Sequence, residues 1–301
     1  MKKLLYFLLL TIMIGLVYYY REDLAKFYDQ HFIPIEDKIT KLEKNEYYRN
    51  YNFTFVKNTD NFVVTEKDEL LDIYYTIVNS GMTDFTFYCS PQYENCVKDV
   101  YDLANNQELV STINNFVHPY NSFKSLSTDI ESTGKVTLHL TKVYNDDMIV
   151  ILNYKVDEII KKEINQDDEI RDKIKKIHDY IINNSSYDKE RSDNKIINYK
   201  SDNAYGVLLE NYGLCGGYTD AMMLFLEKFN IPNYKISTEN HVWNYVKIDD
   251  KWWHLDLTWD DPVSLDGKNI LDNSYFLIND ATLFSIEKNE HNYDKNIYGN
   301  N

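Results

Sequence analysis

A chain of 301 residues has room for about two domains at ~150 residues each, and nine glycines with five prolines are too few for collagen-like or Gly/Pro-rich disordered material. An apolar fraction of 44% and an aromatic fraction of 15% provide for packed cores. A net charge of −16 repels a phosphate backbone and sets nucleic acid aside as a partner, while three cysteines without a CxxC pair exclude a disulfide-built scaffold, a zinc ribbon and a thioredoxin-type site.

At the N-terminus, Lys2 and Lys3 precede an uncharged stretch from Leu4 to Tyr20, which ends at Arg21, Glu22 and Asp23. As a helix it is about 25 Å long, enough for a thin hydrocarbon layer, so residues 1–20 read as a transmembrane signal anchor with the membrane crossed by residues 4–20. The competing reading is a cleaved signal peptide, but Tyr18, Tyr19 and Tyr20 stand where small cleavage-site residues belong. Lysines before the span and an acidic chain after it imply a single-pass protein of the cell membrane with its larger part outside.

Residues 21–60 are charged and aromatic without a core pattern and read as a juxtamembrane stalk, part helical around Ile35 to Tyr48. Residues 61–160 read as a small α+β domain of unassigned role. In it, Thr65, Asp68 and Glu69 open a helix with Leu70, Leu71, Tyr74, Ile77 and Val78 at helical spacing, and Gly81 ends it. Val97 to Phe116 is also helical. Phe85 to Tyr88, Val136 to Val143 and Met148 to Tyr154 alternate as strands, and Asn145, Asp146 and Asp147 form a hairpin turn between the last two. Cys89 and Cys96 either join as a disulfide or pack as two small buried thiols; spacing alone leaves both open.

A second domain occupies residues 167–295. Ile170, Ile174, Ile177 and Ile181 mark a helix, on which His178 reads as a packed residue rather than a ligand. Asn183 to Lys200 is a polar surface loop. Then Gly213-Leu214-Cys215-Gly216-Gly217-Tyr218 opens an apolar helix, so unpaired N–H groups and the positive end of the helix dipole favour a thiolate at Cys215. Alone this is also the pattern of a cysteine buried at a helix start.

It does not stand alone. His241 to Ile248 and Lys251 to Trp259 form an antiparallel hairpin about Asp249 and Asp250, with Ile248 paired to Lys251. Parity places Val242, Val246, Ile248, Trp253, Leu255, Leu257 and Trp259 on a core face, and His241, Trp243, Tyr245, His254, Asp256 and Thr258 on the other. His241 and Asp256 become diagonal neighbours at roughly 7 to 8 Å, within reach of an imidazole and a carboxylate. Cys215 set against them makes a nucleophile, a base and an orienting acid for acyl transfer. His254 is the rival base. Asp260 and Asp261, followed by Pro262, read as a turn rather than calcium ligands, and no cofactor or metal set is read. Trp243 and Trp259 shield the site.

These residues resemble the transglutaminase-like superfamily of papain-type folds, in bacterial, membrane-anchored form. The resemblance rests on the glycine-flanked Cys215, on His241-Val242-Trp243, on Trp252 to Trp259, and on Tyr187-Asp188 and Ala204-Tyr205-Gly206 ahead of the cysteine. It covers about residues 167–290, with Thr219 and Leu257 departing from the usual Ala and Pro. It implies a helix carrying Cys215 on an antiparallel sheet, with Cys215 as nucleophile, His241 as general base and Asp256 orienting it. Tyr205 or Trp243 serves the oxyanion or substrate beside the Cys215 N–H. The expected reaction is transglutaminase or peptidase chemistry on protein or peptide amides, on surface or cell-wall proteins; the alternatives are a binding module that keeps the fold without turnover, or residues 21–160 as the partner-holding part.

Overall fold

The computed structural model describes residues 2–21, 23–24, 41–262, 270–287 and 289–299. The first helix, α1, runs Lys2–Tyr19. Among the described residues no helix is long and apolar enough to cross a membrane. The helix opens on two lysines and stops one residue short of the apolar stretch, so its uncharged part is about 24 Å long against a hydrocarbon layer of about 30 Å. The expectations of a membrane anchor through residues 4–20 and of a single-pass, outward-facing arrangement are therefore overturned.

The chain folds as a mixed α+β structure. The first part of the expected stalk helix, Ile35 to Thr40, lies outside the described residues; the remainder, residues 41–48, is coil with one turn. Residues 41–60 belong to the core instead, through buried Leu42, Phe53 and Val56. Arg49 fixes them there. Its side chain, 2% exposed, donates to the carbonyls of Phe116 and Asn233 and to the Glu227 carboxylate.

Strand β1 (Val63–Val64) leads into α2 (Glu69–Ser80), which ends at Gly81 with φ +79°, a left-handed cap that glycine adopts without penalty. Then come β2 (Asp84–Cys89), α3 (Cys96–Asn105), α4 (Gln107–Thr112), β3 (Phe123–Ile130) and β4 (Lys135–Lys142). They form a four-stranded sheet in the order β1-β2-β4-β3, antiparallel except for β1 beside β2. Cys89 and Cys96 are joined as a disulfide.

The segment expected as a strand from Met148 to Tyr154 is helical, part of α5 (Asp146–Glu163). Asn145, read as a turn residue, caps this helix by accepting from the Met148 N–H, and Asp146 and Asp147 favour its first turn. The short alternating pattern was overridden by the cap and by the buried stripe Leu152, Val156 and Ile159 at helical spacing. Strand β3 was missed because it alternates exposed polar with half-buried residues.

Helix α6 (Ile170–Asn184) follows the isoleucine stripe. The expected loop after it holds β5 (Ser186–Tyr187) and α7 (Lys189–Asn194); β5 pairs in parallel with β6 (Tyr212–Gly213). Helix α8 (Cys215–Lys228) is followed by β7 (Asn233–Ser237), β8 (Val242–Ile248) and β9 (Lys251–Leu255), an antiparallel sheet in that order. The register is the expected one, Ile248 opposite Lys251, with Asp249 and Asp250 both at positive φ in a two-residue turn. Short helices α9 (Asp280–Ile286) and α10 (Lys295–Tyr298) follow.

Sheet β7-β8-β9 is covered on both faces. Val246, Ile248 and Leu255 meet Ala221, Met222 and Phe225 of α8 and the isoleucines of α6 in one cluster. Tyr234, Ile236 and Trp243 join α2, the four-stranded sheet and the C-terminal Tyr293 and Tyr298 in the other. The expected non-core face is thus a second buried face. Helix α8, buried from Gly217 to Leu226, is held on its outer side by α6 and on its inner side by the sheet.

Arg49 links this frame to the N-terminal segment, and its removal would take the guanidinium from two buried carbonyls and leave Glu227 with the Asn233 amide in place of its charged partner. Arg49→Ala is expected to cost about 3 to 5 kcal/mol in urea unfolding of the full chain, several times the effect of an exposed pair such as Lys98–Asp102.

Candidate active site

Cys215 is the first residue of α8 and is partly exposed. The glycines around it are needed for close approach. A Cβ on Gly217 would lie 2.3 Å from the Ser201 carbonyl, and one on Gly213 would meet the Tyr218 ring at 2.6 Å. The Leu214 N–H donates to that same Ser201 carbonyl at 2.6 Å, so the segment before the helix is clamped onto residues 201–203.

Thr219 and Asn244 set the helix against the sheet. The Thr219 hydroxyl sits 2.7 Å from the Cys215 carbonyl and 3.1 Å from the Val242 carbonyl, and Asn244 Nδ2 donates to the Thr219 carbonyl at 3.0 Å. The departure from Ala at 219 therefore adds a tether between the cysteine's turn and the strand that follows His241. A further buried pair, Lys235 to Asp220 at 2.5 Å with Tyr144 donating to the same carboxylate at 2.7 Å, ties α8 to β7.

His241 is 6% exposed and stands one residue before β8. Its Nε2 is 2.5 Å from Asp256 Oδ2. The Cys215 side chain lies close enough to interact with the ring. Trp243 stacks on the ring with centroids 5.6 Å apart and planes within 16°, and Trp259 meets it edge on. Burial is the largest influence on the ring and opposes its charge, but Asp256 and then Cys215 favour the protonated form, and the balance pushes the ring up to about 10 from a usual 6.5.

Asp256 is 2% exposed. Strand β9 stops at Leu255, and Asp256 turns the chain by accepting the N–H groups of Thr258 and Trp259 on Oδ1. Burial raises this carboxyl, yet the His241 and His291 rings outweigh it and hold Asp256 well below the usual carboxylate range. His291 was not singled out in the sequence. It is fully buried, with Nε2 2.9 Å from Asp256 Oδ2 and Nδ1 3.0 Å from Glu287 Oε2. The only trace in the sequence is its spacing of four from Glu287.

His241, Asp256 and His291 have the donor types of a metal site. Their separations fit hydrogen bonds instead: donors around zinc with bonds of about 2.1 Å stand roughly 3.4 Å apart, and both imidazoles are nearer to Asp256 than that. Asp260 and Asp261 are likewise occupied by protein. Asp260 pairs with buried His178 at 3.0 Å and accepts the Tyr275 N–H, and Asp261 accepts the Tyr218 hydroxyl at 2.5 Å. Burial pushes Asp261 up to about 6. These two pairs fasten the chain after Asp256 to α6 and α8.

His254, the rival base, is engaged elsewhere. Its Nδ1 accepts the Trp243 indole N–H at 3.0 Å, and its Nε2 lies 3.0 Å from Asp280; burial is the main cause that lowers it. Trp243 is 1% exposed and acts as a wall behind His241. Tyr205 lies under Lys200 Nζ at 4.5 Å, and its N–H donates to Asn203. A cleft of about 1030 Å³ runs past Gly216 and Val242, the neighbours of Cys215 and His241, between β7 and the Ser122 to Lys124 segment.

No curated protein matches the chain. A solved structure described as "Crystal structure of a TGase" aligns at 17% identity with a TM-score of 0.34, over 46% of this chain and 44% of that one, so the alignment spans under half of its length. Residues 158–257, which include Cys215, His241 and Asp256, match the family model Transglut_core, the transglutaminase-like superfamily.

Proposed function

We propose that the chain is a cysteine acyl-transfer enzyme acting on amide bonds of proteins or peptides. The observation that carries this reading is the convergence on one another of Cys215, His241 and Asp256 from a helix start, a strand start and a strand end. His241, raised to about 10, already holds the thiol's proton near neutral pH, so the Cys215 sulfur stands as a thiolate beside the imidazolium and attacks the amide carbonyl. The tetrahedral oxyanion is met by the Cys215 N–H, one of the first N–H groups of α8, which have no acceptor within the helix. The C–N bond breaks as His241 returns the proton to the leaving amine, and a thioester remains on Cys215. Water or a primary amine, deprotonated by His241, then attacks the thioester and restores the thiol. Asp256 holds the ring with Nε2 inward, which leaves Nδ1 for the sulfur, and stabilises the imidazolium. The cleft beside Gly216 and Val242 is large enough for a peptide segment.

Iodoacetamide labelling separates an enzyme from a binding module of the same fold. Labelling of Cys215 at pH 7 is expected to slow by about tenfold or more in His241→Ala and to vanish in Cys215→Ala. Equal labelling in wild type and His241→Ala would remove the catalytic reading. A peptide library assay with and without a primary amine then reads ammonia release, amine incorporation or chain cleavage.

The ionisation of His241 gives a second test. A ring raised to about 10 contributes stability that is complete below its unfolded value near 6.5 and is lost as pH rises through 10. Asp256→Asn removes the main cause of that shift. The alkaline limb of kcat/KM is expected to move down by about one to three pH units in this variant. The loss of thermal stability between pH 7 and 10 is expected to be smaller than in the wild type.

A further inference from the structure

Asp256 serves two imidazoles, not one. Oδ1 takes the N–H groups of Thr258 and Trp259, and Oδ2 takes His241 and His291, so the buried carboxylate carries four donors. His291 in turn has a carboxylate at each nitrogen, Asp256 at 2.9 Å and Glu287 at 3.0 Å.

The second imidazole is held as firmly as the first. Tyr275 stacks on it with centroids 5.3 Å apart, and Trp243, Trp259 and His241 meet it edge on at 4.7, 5.1 and 5.2 Å. Glu287, just past the end of α9, accepts the N–H groups of Asn289, Glu290 and His291 besides the His291 ring, and these donors outweigh burial to bring it down to about 2. Asn289, Glu290 and His291 are thus gathered around the one Glu287 carboxylate, which brings one ring to the back of Asp256.

We propose that His291, backed by Glu287, is a positioning residue for the His241–Asp256 pair. It rests on the acyl-transfer reading above. By sharing Oδ2 it orients the carboxylate toward His241, and by taking part of the negative charge it limits how tightly Asp256 holds the proton on His241. That matters for a ring that must give its proton to a leaving amine, because an acid that holds a proton too firmly is a poor donor near neutral pH. The charged and titratable groups facing His241 are Cys215 at the start of α8, Asp256 after β9 and His291 after α9; Glu287 stands behind His291.

The test uses the full chain with His291→Leu, which keeps bulk without donors, and His291→Gln, which keeps one N–H donor. The titration midpoint of His241 by NMR is the readout, beside thermal stability. His291→Leu is expected to raise the midpoint by about one pH unit, a tenfold gain in proton affinity, and to lower kcat on any amide substrate more than it changes KM; His291→Gln recovers more than half of the shift. A midpoint unchanged or lowered in His291→Leu, or equal in the two variants, would overturn the proposal and leave His291 a packing residue. Cys215 labelling in wild type and His241→Ala reads the acyl-transfer proposal on its own, so failure of that reading is seen separately from failure of this one.

Discussion

The Asp256 carboxylate is the constraint around which the rest is arranged. An ionised group at 2% exposure is costly to bury unless its lone pairs are met by donors, and here two backbone N–H groups and two imidazoles meet them. The four donors come from three separate pieces of chain. His241 stands at the start of β8, Thr258 and Trp259 in the turn after β9, and His291 in the C-terminal turn. Satisfying the carboxylate therefore requires the hairpin register, the turn after Leu255 and the docking of the C-terminus to be correct together.

The second requirement is that Cys215 be delivered to His241 without crowding its own helix start. Close packing achieves this at Gly213 and Gly217, where no side chain fits, and polar contacts from Thr219 and Asn244 set the height of α8 on the sheet. The apolar core on both faces of β7-β8-β9 makes the frame stiff. Trp243 serves three ends with one ring: it fills the core, stacks on His241 and donates to His254 Nδ1.

Legibility in the sequence followed the range of the forces involved. The α2 and α6 helices, the β8–β9 register and the helix start at Cys215 rest on local periodicity, caps and turn residues, and all were read correctly. Met148 to Tyr154 was misread because a short apolar alternation is ambiguous and the Asn145 cap decided it. Residues 41–60 looked like a stalk because their core contribution is a few separated residues, Leu42, Phe53 and Val56, joined to the frame by the long-range contacts of Arg49. The N-terminal apolar stretch suggested a membrane span, but hydropathy does not by itself set where a helix ends.

What the sequence by itself determined is the hairpin that puts His241 diagonal to Asp256 and the helix start that exposes a cysteine, because turn chemistry and side-chain alternation act between near neighbours. What only the tertiary structure decided is the second imidazole. His291 lies 35 residues beyond Asp256 and 50 beyond His241, in a turn whose local pattern marks nothing but a Glu and His four apart. Its approach depends on aromatic packing by Trp243, Trp259 and Tyr275 and on the attraction of one buried carboxylate, forces that have no period along the chain.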